Sequence, residues 1–183
     1  MSSDRKTVAH CATPYLQSNN VWLYTQLIHL ARYRVIVLTQ EQLNSDRFDA
    51  ANVYSAETYP RIKRLGNRIA RRATGMYPFY APILRREAVD LIHAHFGHQG
   101  CRCLRARRQT LLPMVTSFYG YDISRDQQDP KWQRVYRELF AEGDCFLAEG
   151  GAMRGRLEAA GCPPSKVKLH HLGVNLAGIE FRP

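Results

Sequence analysis

Short apolar runs alternate along this chain with stretches of helical spacing. Lys6–Thr13 (KTVAHCAT) reads as a short buried strand and Tyr15–Asn20 as a polar loop. Val21–Tyr33 has helical spacing, with Val21, Tyr24, Leu27, Ile28 and Ala31 on one stripe. Arg34–Thr39 (RVIVLT) is a continuous apolar run between polar residues, which suits a central parallel strand. Gln40–Asp49 reads as loop and Ala51–Ser55 as a third, short strand. Pro60 opens the next helix in a suitable first-turn position. Its apolar stripe is Ile62, Leu65, Ile69, Ala73 and Met76, at spacings of 3, 4, 4 and 3. Gly75, Pro78 and Pro82 then interrupt the pattern.

The second half continues the alternation. Val89–His95 (VDLIHAH) and Pro113–Phe118 (PMVTSF) read as strands, with a helix over His98–Arg108 between them. Asp129-Pro130 supplies a cap and a first-turn residue for a helix running through Trp132, Val135, Tyr136, Leu139 and Phe140. Asp144–Ala148 is a strand, Gly150–Ala160 a helix stopped by Gly161, and Val167–Leu172 a last strand. Strands alternating with helices imply an α/β domain: a single Rossmann-like, doubly wound parallel sheet flanked by helices, with right-handed crossovers. In such a sheet ligands bind beyond the carboxyl ends of the strands, where strand order reverses. That rule selects Thr13–Asn20, His95–Gly97, Tyr119–Asp122 and Glu149–Gly151.

Composition narrows the class. A chain of 183 residues with 45% apolar content is long enough for one domain with a real core. It has no run of about 18 apolar residues, and Met1–Lys6 is polar rather than leader-like, so the chain is expected in the cytosol. Cys11, Cys101, Cys103, Cys145 and Cys162 are odd in number and irregular in spacing, and are expected as reduced, small hydrophobes. The net charge of +10 is local: residues 61–108 hold twelve Lys/Arg against Glu87 and Asp90, and the remainder is balanced. One basic region points to a local anionic partner.

Arg61, Lys63, Arg64, Arg68, Arg71 and Arg72 occupy the other faces of the helix after Pro60, with no acid among them. Six cations on one short helix repel one another, and a basic amphipathic helix suits an anionic membrane surface. A solvated charged face is the bland reading. No nucleic-acid partner is expected, because no helix-turn-helix, finger or aromatic platform accompanies the charge. His93, His95, His98, Cys101 and Cys103 offer metal-binding side chains, but a strand, turn and helix send them in diverging directions, so no metal is expected. His93 reads as a strand-buried histidine, and His95 as a strand-end histidine facing a cleft. Gly120, directly after a strand, allows close approach of backbone to a ligand. Asp122 suits either hydrogen bonds from sugar hydroxyls or the cap of a turn. Tyr15, Gln17, Asn19 and Asn20 read as a neutral, hydrogen-bonding rim. No serine–histidine–acid pattern, Walker loop or GxGxxG fingerprint is present.

Three stretches carry a resemblance: His93-Ala94-His95-Phe96-Gly97; Leu112-Pro113-Met114-Val115-Thr116-Ser117-Phe118-Tyr119-Gly120-Tyr121-Asp122-Ile123-Ser124; and Phe146-Leu147-Ala148-Glu149 with Met153, Leu157, Gly161, Lys166 and Val167, closing on His171-Leu172-Gly173-Val174-Asn175 and Phe181-Arg182-Pro183. In order and spacing they resemble the N-terminal, acceptor-side domain of a family 4 glycosyltransferase of the polysaccharide-assembly type, with a GT-B fold. The resemblance covers Val89 to the end well and the first 60 residues in outline. It implies metal-free sugar transfer with retention of anomeric configuration to a glycan or lipid-linked acceptor at the inner face of the membrane. Taken with the strand-end rule and the polar rim, it makes Tyr15, Gln17, Asn19, His95, Phe96, Gly97, Tyr119, Gly120, Asp122 and Glu149 the expected acceptor contacts.

The sequence departs from that family at Tyr119, where a histidine is usual, at Pro14–Asn20, where a glycine pair often stands, and at Asn175, where an aspartate is familiar. Residues 1–183 are expected to form the acceptor-binding domain, with the C-terminal nucleotide-sugar domain absent. No cofactor is expected in this chain, a nucleotide-sugar donor is expected only alongside that second domain, and the chain alone is expected to be inactive. A missing domain, a partner chain or self-association would cover the exposed cleft face. The alternatives are a non-catalytic binding or oligomerisation module and a basic membrane-surface adaptor.

Overall fold

A computed structural model describes residues 5–18, 21–48, 52–124 and 129–173. Among them, β1 (Thr7–Cys11), β2 (Arg34–Thr39), β3 (Val53–Ser55), β4 (Leu91–His95), β5 (Met114–Phe118), β6 (Cys145–Ala148) and β7 (Val167–Leu169) form one sheet. Every pairing is parallel, in the order β3-β2-β1-β4-β5-β6-β7. Strand order reverses between β1 and β4, the signature of a doubly wound sheet. The fold is therefore the Rossmann-like α/β class that the alternation of elements predicts. The helices are α1 (Val21–Ile28), α2 (Arg61–Thr74), α3 (Tyr80–Arg86), α4 (Gly97–Thr110), α5 (Tyr121–Ser124), α6 (Pro130–Glu142) and α7 (Gly151–Ala159).

Side chains alternate across a strand, so each strand contributes to two different environments. On one face Ala9, Cys11, Ile36, Leu38, Ile92, Ala94, Met114, Phe118, Phe146 and Ala148 are buried in one cluster with residues of α3, α4 and α6. On the other face α1 covers β1 and β2, burying Leu23, Leu27 and Val37. Further along that face Leu91, His93, Val115, Cys145 and Leu147 are only half-buried. A parallel sheet normally has both faces covered, and among the described residues this one is covered fully on one side only.

Three local expectations differ from the structure. The first helix ends at Ile28 instead of reaching Tyr33, and Ile28 and Ala31 of the expected stripe are exposed while Leu23 is buried. α3 stands where the prolines predict an interruption. Pro82 sits in the first turn, where a missing N–H leaves no intrahelical bond unmade, and Tyr80, Ala81, Ile83 and Leu84 bury the helix. Apart from β2, which keeps the expected bounds Arg34–Thr39, the strands are also shorter at their ends than the apolar runs. The Asp129 cap is found, with its side chain accepting from the Lys131 N–H at 2.9 Å. All five cysteines are reduced, four buried and Cys145 half-buried. Among the described residues no helix is long and apolar enough to cross a membrane.

Candidate active site at the strand ends

The loops leaving β4 and β5 meet at the carboxyl edge of the sheet, beside the reversal of strand order. Phe96 turns the chain from β4 into α4 with φ 76° and ψ 142°. Such a backbone is costly for a residue with a Cβ, and strain of this kind gathers at functional sites. Gly97 follows because a Cβ there would collide with the Phe118 ring and the Tyr136 hydroxyl. Across the gap, Gly120 (φ 117°) lets the β5 loop turn back into α5.

Asp122 joins the two loops. It has no exposed surface. One carboxylate oxygen accepts the Gly97 N–H at 2.8 Å; the other accepts those of Tyr119 at 3.1 Å and Gly120 at 3.0 Å. Of the two roles open to it in the sequence, this is the turn cap, extended to hold a second loop. Burial pushes its acid up to about 6, against the pull of the backbone donors on the charged form.

The aromatic and imidazole groups form a second tie. His95 is 1% exposed, and its Nδ1 lies 2.7 Å from the Tyr119 hydroxyl. It therefore meets the cleft through Tyr119 rather than by facing it directly. Trp22, in the first turn of α1, packs its ring 4.6 Å from that of Tyr119, and Phe96 meets Tyr119 edge-on at 4.8 Å. Burial raises the Tyr119 phenol well above its usual range, with a further push from the Glu149 charge after β6. The phenol is thus a neutral hydrogen-bonding group at physiological pH. Gln99, fully buried in α4, donates to the Thr13 carbonyl at 3.2 Å and ties the β1 loop to the same edge.

The expected rim is only partly assembled. Gln17 is half-buried after β1, but Tyr15 is 3% exposed and packs in the apolar cluster under α1, where burial pushes its phenol up to about 12. An aromatic body close to Leu16, Leu23 and Leu27 gains more from burial than from a place on the rim. Asn19 and Asn20 lie outside the described residues. His95, Phe96, Gly97, Tyr119, Gly120, Asp122 and Glu149 do come to one edge. Trp22 was missed by the sequence reading. Its position as the first aromatic of the helix after the first strand was the available signal, since that turn faces the crevice in a doubly wound sheet. His98, Cys101 and Cys103 ride on α4, with both cysteines buried towards the fully covered face.

α2 carries the basic region. None of its residues is buried, and Arg61, Lys63, Arg64, Arg68, Arg71 and Arg72 are all exposed. Among the described residues none of the six forms an ion pair. The apolar stripe is exposed as well: Ile62 86%, Leu65 51% and Ile69 59%. Only Met76, just past the helix, packs on the core.

This architecture is the N-terminal half of a GT-B glycosyltransferase fold, and residues 21–177 match the model of Glycosyltransferase Family 4, to which the chain belongs. WcaL of Salmonella typhimurium, which carries the name of a colanic acid biosynthesis glycosyltransferase, is 33% identical over 95 residues, 51% of this chain and 23% of WcaL. Amylovoran biosynthesis glycosyltransferase AmsK of Erwinia amylovora is 32% identical over 89 residues, 48% of this chain and 22% of AmsK. The chain thus spans about a quarter of the length of these curated relatives. Among solved structures, Anabaena Alr3699/HepE in complex with UDP and glucose superposes with a TM-score of 0.69 at 15% identity, over 94% of this chain and 46% of that one.

Proposed function

We propose that this chain is the acceptor-binding half of a retaining glycosyltransferase of polysaccharide assembly, taking a glycan or lipid-linked acceptor at the strand-end edge. Membership of Glycosyltransferase Family 4 over residues 21–177 carries the reading. The names of WcaL and AmsK support the polysaccharide class. The geometry supports the place: a neutral phenol, two aromatic faces and a strained turn, gathered where a doubly wound sheet receives ligands. Neutral donors and aromatic rings suit sugar hydroxyls and ring faces better than a highly charged group. The nucleotide of the donor would be held by a second Rossmann-like half, whose closure excludes water and aligns the reacting atoms. Mixing the chain with the C-terminal domain of a related enzyme, UDP- or GDP-sugars and candidate acceptors tests this. Acceptor-dependent nucleotide release and a product of increased mass are expected. A stable complex without transfer would overturn the catalytic reading in favour of a binding module.

The second part of the proposal is peripheral docking through α2 at the inner face of the membrane. An apolar stripe and six exposed cations without ion pairs among the described residues, all on one helix, are what a lipid surface would satisfy, since each cation near an anionic leaflet is worth about 1 kcal/mol. Flotation with vesicles of mixed zwitterionic and anionic lipid should recover the chain. Reversal of Arg64, Arg68 and Arg71 to Glu should leave it unbound, and unchanged flotation would remove the membrane from the proposal.

A further inference from the structure

The half-covered face of the sheet forms the floor of an open cavity of about 970 Å³. Six of the chain's seven histidines line it: His10, His29, His93, His95, His170 and His171. Three of them are set by the sheet itself. His93 and His95 lie two residues apart on β4 and point to one face, and parallel register places His10 of β1 directly beside His93. The ring centroids are 5.0 Å apart for His10 and His93, 5.2 Å for His10 and His95, and 4.3 Å for His93 and His95. One ring nitrogen from each can be chosen so that all three lie within 4.8 Å of one another.

The hydrogen bonding leaves this cluster incomplete. His10 Nδ1 lies 2.9 Å from His95 Nε2, and the other His95 nitrogen is held by Tyr119. His93 Nε2 lies 2.8 Å from the Ser117 hydroxyl. His10, only 2% exposed, keeps its Nε2 buried without a hydrogen-bond partner among the described residues. A buried imidazole nitrogen left unpaired is costly, so its retention wants a ligand.

We propose that His10, His93 and His95 form a binding site for a divalent transition metal of the zinc class, open to the cavity. The donor set is right for that class: three imidazoles suit zinc, copper or nickel and are a poor match for magnesium or calcium. Imidazole nitrogens at about 2.0–2.1 Å from one tetrahedral ion stand roughly 3.3 Å apart, so the rings need to close by ~1.5 Å at most. Ser117 and Tyr119 would then be the outer partners that ligating histidines generally keep on their second nitrogen, and His95 Nε2 would exchange its hydrogen bond with His10 Nδ1 for the metal. The fourth position faces the cavity, where an oxygen ligand from solvent would complete the shell. The sequence reading excluded a metal by weighing His93 and His95 against His98 and the cysteines. The third ligand comes instead from a strand more than 80 residues away.

The test uses the untagged chain, stripped with a chelator and titrated with Zn²⁺ by calorimetry and with Co²⁺ by visible absorption. One saturating equivalent and the intense absorption of four-coordinate Co²⁺ are expected. His10→Gln and His93→Gln, checked for folding by circular dichroism, should each weaken binding by about tenfold or more. Replacing the exposed His29, His170 and His171 together by Ala should keep the equivalent. Loss of binding in that triple variant with retention in His10→Gln would assign it to surface histidines and overturn the site. A weak six-coordinate Co²⁺ spectrum, or no saturable binding, would do so in the unmutated protein without reliance on any variant.

Discussion

The carboxylate of Asp122 accepts the backbone N–H of Gly97 at 2.8 Å, so a side chain from the β5 loop fixes the first residue of the helix that follows β4. Two neighbouring strand ends are thereby made into one rigid edge. If that edge receives an acceptor, Asp122 acts on it as a positioning residue, through the backbone it holds.

Replacing Asp122 by Ala would leave the N–H groups of Gly97, Tyr119 and Gly120 without their acceptor. Each buried donor left unpaired costs on the order of 1–3 kcal/mol, partly relieved by entering water. The expected loss is about 2–4 kcal/mol in urea unfolding. Asp122→Asn, which keeps one acceptor oxygen, should lose roughly half as much. An unchanged unfolding midpoint in Asp122→Ala would return this residue to a ligand-contacting role.

Gly97→Ala should destabilise the chain by about 1–3 kcal/mol, because the added methyl meets the Phe118 ring and the Tyr136 hydroxyl. Gly120→Ala meets no neighbour but sits at φ 117°, so its penalty is one of backbone strain. Thermal unfolding of the pair would separate steric from conformational cost. Gly97→Ala should be sensitive to a compensating Phe118→Leu change, and Gly120→Ala indifferent to it.

Two groups near the site, the buried Asp122 and the half-buried His98, make opposite contributions with pH. His98 is pushed down to about 4, from 6.5, by burial and by the nearby Arg102. The unfolded chain takes up this proton first, so the stability His98 lends is full above pH 6.5 and is lost as pH falls towards 4. Asp122 is raised from 3.8 to about 6, so the folded chain holds its proton longer, and this penalty is present above pH 6 and relieved towards 3.8. Each group contributes a slope of up to about 1.4 kcal/mol per pH unit in its window. His98→Gln should therefore reduce the loss of stability between pH 6.5 and 4, as measured by unfolding across that range. A pH profile identical to that of the parent would contradict the assignment.

The stripe of α2 makes a prediction in two readouts. Ile62, Leu65 and Ile69 are exposed, so changing all three to Ser should shift unfolding by less than about 0.5 kcal/mol per residue. The same variant should lose most of its binding to anionic vesicles. A marked fall in stability would mean that the stripe is covered by protein instead of facing lipid.

Trp22 offers a direct report on the cleft. Its ring lies against Tyr119, so a glycan entering beside that phenol should change its fluorescence. The change should vanish in Trp22→Phe and persist in Trp132→Phe, since Trp132 packs beside Tyr136 on α6.

The sequence by itself determined the succession of strands and helices, because periods of 2.0 and 3.6 are local properties of the backbone that a short window displays. It determined the parallel, doubly wound class for the same reason, and it marked Phe96-Gly97 and Tyr119–Asp122 as strand exits through their glycines. It did not reveal α3, whose Pro82 is harmless only at the first turn, a position that could not be read before the helix itself was known. Nor did it show that the α2 stripe stays bare: amphipathic spacing records what a helix face prefers, and whether protein covers that face depends on what packs nearby. The buried place of Tyr15, the engagement of Asp122 with Gly97 and the meeting of His10 with His93 were decided only by tertiary structure. Each joins residues from separate elements, and strand order and register are fixed by packing over the whole sheet, which no local pattern encodes.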